Sequence, residues 1–261
     1  MVKGPVIQRD RKLACVVQAG LTLAGCLAGD SARAAACTGQ PVTSGVIAQV
    51  IDSRSFLLTD GRKIVLAGIE VPAGQGGTAL DLVGHAVTLT RSGPDDRYGR
   101  VPAFVFAAGS SVPVQHGLLA QGQARVAARA GDRACAADLL AAEKAARRAS
   151  LGLWADPGYV IRRAESGGDL LAERGRFAIA EGKVLSVRES GGTLYMNFGQ
   201  RWSQSLTVTV AKRREKLFME AGLAPKSLER RDIRVRGWIE ERNGPRMEVS
   251  RPEQIEFADQ E

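Results

Sequence analysis

From Gly45 onward the chain consists of short apolar runs separated by turn residues, and this pattern limits it to a β-rich fold. Residues 45–52 (GVIAQVID) alternate Val46, Ala48 and Val50, the period that sends every second side chain to one face of a strand. Residues 55–69 are two apolar runs around Thr59-Asp60-Gly61-Arg62. An Asp-Gly step there predicts a hairpin, because glycine takes positive φ without steric cost. Residues 86–90 and 101–106 read as two more strands, and Pro102, which has no N–H, predicts an edge start for the second. Two helices follow. Residues 112–121 place Val114, Leu118 and Gln121 on one side, and residues 134–148 are alanine-rich with Glu143 and Arg147 four apart. Gly152 ends the second helix, and Leu153-Trp154 is expected to fold back as an apolar lid.

The strand theme returns in residues 177–187, 193–198, 206–210, 233–240, 247–249 and 254–257, with Ser190-Gly191-Gly192 and Asn243-Gly244-Pro245 as turns. A short helix is expected at 213–221, closed by Gly222. Five or so strands with a helix between the third and fourth predict an OB-like barrel. Residues 156–176 hold Pro157, Gly158, Gly167, Gly168 and Gly175 and read as a linker. The fold class is mainly β with α (α+β), and 261 residues suit two domains. The expected division is a leader at 1–36, a first domain at 37–155, the linker, and a second domain at 177–261. No fixed-period repeat is visible.

The leader carries Lys3, Arg9, Arg11 and Lys12, then an apolar run at 13–23 that is shorter than the roughly 20 residues of a membrane span. This is the pattern of an export signal. Two processing sites compete. Ala34-Ala35-Ala36 is an A-x-A site before Cys37, and Leu23-Ala24-Gly25-Cys26 is a lipobox-like run that would end the leader at 25 and acylate Cys26. The expected location is the periplasm or the medium, with an outer-membrane lipoprotein as the alternative. Either cleavage leaves Cys37 and Cys135 as the two ordinary thiols, and an oxidising compartment favours joining them.

Beyond residue 36, thirty-one Lys and Arg face twenty-six Asp and Glu. That mild excess is compatible with an anionic partner but does not by itself mark a nucleic-acid binder.

Three stretches carry a resemblance. They are Val50-Ile51-Asp52-Ser53-Arg54-Ser55-Phe56, residues 65–72 (VLAGIEVP) and Asp96-Arg97-Tyr98-Gly99-Arg100. In that order and spacing they resemble the V-x-D-G-D-T-x, R-L-x-G-I-D-x-P-E and D-x-Y-G-R stretches of the staphylococcal nuclease (thermonuclease) family. Residues 117–126 and the end at Gly152-Leu153-Trp154 fit as well, so the resemblance covers about 45–155. The C-terminal part resembles a second domain found on some exported bacterial members, which implies no activity.

The resemblance implies an OB-type barrel and calcium-assisted phosphodiester hydrolysis, with carboxylates as oxygen ligands for a hard cation. It also implies loss. The first metal carboxylate falls on Arg54 and the second on Glu70. One phosphate-clamping arginine falls on Val65, the general base on Ala73, and the second clamping arginine on Arg100. Asp52 and Asp96 match acidic positions nearby. The resulting expectation is a catalytically impaired nuclease serving as a binding or envelope module. Arg100 and Glu70 remain as remnants, Arg54 pairs with Glu70 and with Asp52, and no cofactor is expected. The alternative is an active DNA/RNA endonuclease with a rearranged site, using calcium held by Glu70 and Asp52. Partners under these readings are nucleic acid or an envelope protein, with membrane contact only through a lipid on Cys26.

Other candidates are weaker. Asp52 also reads as a simple turn cap. In IRVRGWIE, Arg234, Arg236 and Trp238 share a strand face, and basic plus aromatic side chains suit single-stranded nucleic acid. A solvated face with Glu240 is the competing reading. His85 and His116 lack any nucleophile or zinc pattern nearby, and residues 212–216 (KRREK) read as a solvated helix start.

Overall fold

A computed structural model describes Met1, Gly4, Cys37 and residues 42–72 and 82–258. The expected leader, the Cys26 lipidation site and Ala73 lie outside these residues.

The first sheet is formed by β1 (Val42–Asp52), β2 (Ser55–Leu58), β3 (Lys63–Leu66), β5 (Ala86–Arg91) and β6 (Arg100–Ala107), closed in the order β1-β2-β3-β6-β5. Closure depends on β1. Its first half pairs with β5 and its second half with β2, with register shifts between Ile47 and Gln49 and between Val50 and Asp52. Such irregularities let one long strand bend across two neighbours. Asp60-Gly61 is the β2–β3 turn, with Gly61 at φ 85°. Pro102 pairs with Val65 of β3, and the β5 ladder begins only at Ala103. Strand β6 lies inside the barrel, but at Pro102 it has only one ladder neighbour, so the strand starts at an edge as expected and the missing donor costs no ladder bond.

β4 (Ile69–Glu70) leaves the barrel to pair with β7 (Arg125–Val126), which sets Glu70 opposite Arg125. α1 (Val114–Ala120) and α2 (Arg133–Arg148) pack on the barrel. Asp132 caps α2 by accepting from the Cys135 N–H at 2.8 Å. α1 buries Leu118 and Leu119 and also Gln115, which donates to the Ala67 and Ala103 carbonyls and accepts from the Val105 N–H. The core runs through Ile47, Phe56, Ile64, Leu89, Phe104 and Leu139. Gly122 and Gly152 allow the two helix ends to touch, because a Cβ on Gly122 would stand 2.1 Å from the Leu151 carbonyl oxygen. Cys37 and Cys135 are joined by a disulfide.

The second sheet has eight strands: β8 (Arg162–Arg163), β9 (Phe177–Lys183), β10 (Ser186–Ser190), β11 (Thr193–Asn197), β12 (Thr207–Ala211), β13 (Asp232–Glu241), β14 (Pro245–Glu248) and β15 (Ile255–Phe257). Its main path is β10-β11-β12-β14-β13-β9-β8, with β15 on β13. Strands β9 and β10 follow one another in the chain, β12 runs parallel to β14, and α4 (Glu215–Glu220) lies between β12 and β13. The first barrel shows the same succession, with β3 parallel to β6. The stretch expected as a linker holds β8 and α3 (Gly167–Ala172), and both pack with the second sheet. This unit has its own core, including Leu194, Phe198, Val208, Phe218, Val235 and Met247. Residues 42–258 lie in one compact unit.

Candidate functional site

The barrel mouth gathers the three stretches that carry the resemblance. Asp52 and Ser55 close the β1–β2 turn, and an Asp52 carboxylate oxygen accepts the Arg54 N–H at 2.9 Å. The turn-cap reading of Asp52 is therefore realised. With its backbone fixed, the Arg54 side chain reaches across to β4. Its Nη1 stands 3.0 Å from Glu70 Oε2 and 3.5 Å from the Ile69 carbonyl oxygen. Asp52 does not join this pair through its side chain; its second oxygen lies 3.8 Å from Arg100 Nη1.

Burial pushes the Glu70 carboxyl above the ordinary carboxylate range, and the nearby Arg54 and Arg125 guanidiniums only partly offset it. Arg100 is held at four points. Its Nε meets Asp96 Oδ2 at 2.8 Å, its N–H donates to Asp96 Oδ1 at 3.0 Å, and its Nη1 reaches Ser55 Oγ at 3.1 Å besides facing Asp52. Asp96 also accepts the Tyr98 N–H, and Gly99 turns the chain at φ 70°. Burial works to raise the Asp96 carboxyl, but the Arg100 and Tyr98 donors together outweigh it and hold it below the usual range. Val65 is buried in the cavity wall and brings no charge to it.

A cavity of about 720 Å³ opens here. Arg54, Glu70, Asp96 and Arg100 line it, together with Arg129 after β7 and Arg251 from the second unit. These side chains do not fit calcium. A hard cation needs six to eight oxygen ligands. Here a guanidinium occupies the Glu70 carboxylate and another faces Asp52. Among the described residues no group of three or more His, Cys, Asp or Glu is placed to hold a metal ion. The geometry suits an anion that accepts from guanidiniums.

The Arg234–Arg236–Trp238 surface needs correction. Arg234 is buried against Glu181, with its Nε 2.9 Å from Glu181 Oε2. Arg236 is wholly buried; both of its terminal nitrogens lie 2.9 Å from Glu143 of α2, and it also pairs with Glu256. Only Trp238 is half exposed. The strand face predicted to meet solvent or nucleic acid instead packs on the first unit. Glu143, read as a helix-surface partner of Arg147, is fully buried. Arg125 lies in the 117–126 stretch that fits the resemblance, which assigns it no role, and sequence reasoning missed Arg129 and Arg251, which carry no local pattern that distinguishes them from surface cations.

The closed five-stranded barrel with its two packed helices is an OB-type domain. Residues 77–156 match the family model described as Staphylococcal nuclease homologue, and this part of the chain is a staphylococcal-nuclease-like domain. The match takes in Arg100, β7 and α2, while Arg54, Val65 and Glu70 precede it. No curated protein matches the chain.

Proposed function

We propose that this is an exported, catalytically impaired nuclease that binds an anionic ligand at the barrel mouth without cleaving it. The observation that carries the reading is the 3.0 Å contact between Arg54 and Glu70. A fixed cation replaces the ion that the resemblance implies, so the pocket repels a second cation and attracts anions. The missing groups set the scale. A general base contributes about 10²–10⁴ in rate, and a preorganised donor about 10²–10³. Losing the base at Ala73, the arginine at Val65 and the ligand at Arg54 removes several orders of magnitude even without additivity.

Arg100, Arg129 and Arg251 supply the cationic lining that remains for binding. Export is supported by the basic and apolar leader and by the Cys37–Cys135 bridge, since disulfides persist in oxidising compartments.

The test is digestion of single- and double-stranded DNA and RNA by the purified protein, with calcium and with chelator, beside a binding measurement on the same substrates. Binding without calcium-dependent cleavage, weakened by Arg100→Ala, is the expected result. Calcium-dependent turnover that Arg100→Ala abolishes would establish the active-enzyme reading. Mass measurement of the mature N-terminus decides between processing before Cys37 and acylation at Cys26.

A further inference from the structure

A second cleft of about 330 Å³ lies behind the barrel mouth, where β4 and β7 meet the start of β9 and the middle of β13. Its chemistry differs from that of the mouth. Arg125 is the central group. Its guanidinium stacks over Tyr159 at 5.3 Å and Phe177 at 5.1 Å. Its Nε is buried without a hydrogen-bond partner, and it forms no ion pair among the described residues.

The carboxylates nearest in the fold are already engaged. Glu70, directly across the β4–β7 ladder, is taken by Arg54, and Glu143 is taken by Arg236. Burial works against the Arg125 charge, and the nearby Glu143, Tyr159 and Glu70 offset it only in part, so the guanidinium is held less firmly protonated than usual. Glu173, which also lines the cleft, is already matched by Arg162 at 2.6 Å and by Arg176 at 3.4 Å. Arg125 and Arg176 line the cleft beside Glu70 and Glu173, so its lining is balanced in charge, and the group left to hold an anion is the buried Nε of Arg125.

Trp238 also lines the cleft. It is 50% exposed, while the Phe177 ring it meets edge-on at 6.3 Å is buried. A half-exposed indole and a guanidinium whose Nε has no hydrogen-bond partner offer an apolar face and an anion site within one small cavity.

We infer that this cleft binds a small anion attached to a planar ring, with the anion on Arg125 and the ring against Trp238. The cleft shares Glu70 with the barrel mouth, but Arg125 and Trp238 line the cleft and not the mouth, so the inference does not depend on whether the mouth binds or cleaves anything. Phosphate esters and carboxylates share the required chemistry, and the experiment distinguishes them.

Purified protein is titrated calorimetrically with a nucleoside 5′-monophosphate, with indole-3-acetate and with inorganic phosphate. At least one ring-bearing anion is expected to bind at least about tenfold more tightly than inorganic phosphate. The ligand that binds identifies the anionic group. Arg125→Gln is expected to weaken that binding by about tenfold or more. Trp238→Ala is expected to bring it down to the level of inorganic phosphate. Trp238 is half exposed and its truncation leaves the core intact, so this variant decides the matter if Arg125→Gln fails to fold. The inference is overturned if no ring-bearing anion binds up to about 5 mM. It is equally overturned if binding survives both substitutions, or is lost on Arg100→Ala while both leave it unchanged, which would place the ligand in the barrel mouth.

Discussion

Arg236→Met should be among the most damaging single changes to this protein's stability. Arg236 is fully buried in β13 of the second unit, and its principal partner, Glu143, is fully buried in α2 of the first. Two bonds of 2.9 Å join them, Glu256 adds a second carboxylate, and the Val126 carbonyl accepts at 3.2 Å. Burial works against the charge on Arg236, but Glu143 and Glu256 outweigh it and hold the guanidinium more firmly protonated than usual. Methionine fills the space but leaves Glu143 in a dry site with only the Val126 N–H and, at 3.4 Å, Arg147 as donors. Breaking a buried pair on one side costs about 3–5 kcal/mol. At roughly 2–4 °C per kcal/mol for a chain of this size, Tm should fall by about 6–20 °C.

Urea and thermal unfolding of Arg236→Met, Glu143→Gln and the double variant would measure this. The double variant has no stranded carboxylate at position 143 and should recover about 1.5 kcal/mol or more relative to additivity. A loss below about 1 kcal/mol for Arg236→Met, or strict additivity in the cycle, would refute the reasoning. Because this pair bridges the two units, the intact protein should unfold in one transition, and Arg236→Met should separate it into two.

Three further outcomes are expected. Arg54→Asp returns a carboxylate to the barrel mouth and frees Glu70, so calcium should raise Tm of that variant and leave the parent unchanged; an equal response in both would show that the guanidinium is not what excludes the ion. Reducing Cys37–Cys135, whose partners are 98 residues apart, should cost up to about 4–5 kcal/mol on chain-entropy grounds, read as a lower urea midpoint in reductant. The pH profile should carry two opposed contributions. Burial works to raise the Glu256 carboxyl, but Arg236 outweighs it and holds it low, so its stabilisation is complete above the unfolded value of about 4.3 and is lost as pH falls through the folded value. Glu70 is raised by burial, so its contribution is complete below that unfolded value and is lost as pH rises through the folded one. Accordingly Glu70→Gln should gain stability relative to the parent, and Glu256→Gln should lose it, as pH rises from roughly 3 to 7, measured by urea midpoints.

The sequence by itself determined the local elements. Alternation in residues 45–52 and 233–240 and the Asp60-Gly61 step specified strands and a hairpin, because side-chain period and glycine's backbone freedom act over a few residues. The alanine-rich run specified α2. The Arg54–Glu70 contact was legible through the matched stretches, since the barrel connectivity brings those two turns together wherever it forms. What no local pattern decided is which face of a strand would be covered. Alternation put Arg234, Arg236 and Trp238 on one side of β13, but whether that side meets water or another unit depends on α2, whose Glu143 lies 93 residues from Arg236. Gln115 likewise reads as an ordinary helix residue until the Ala67 and Ala103 carbonyls are placed beside it. The recurrence of one strand succession in both units has no counterpart as a sequence repeat. Pairing topology is fixed by backbone hydrogen bonds and by where apolar faces are buried, and many different side chains satisfy both. The unsatisfied Nε of Arg125 emerges only in the folded chain, because a buried donor lacks an acceptor only once the neighbouring carboxylates have been drawn to other cations.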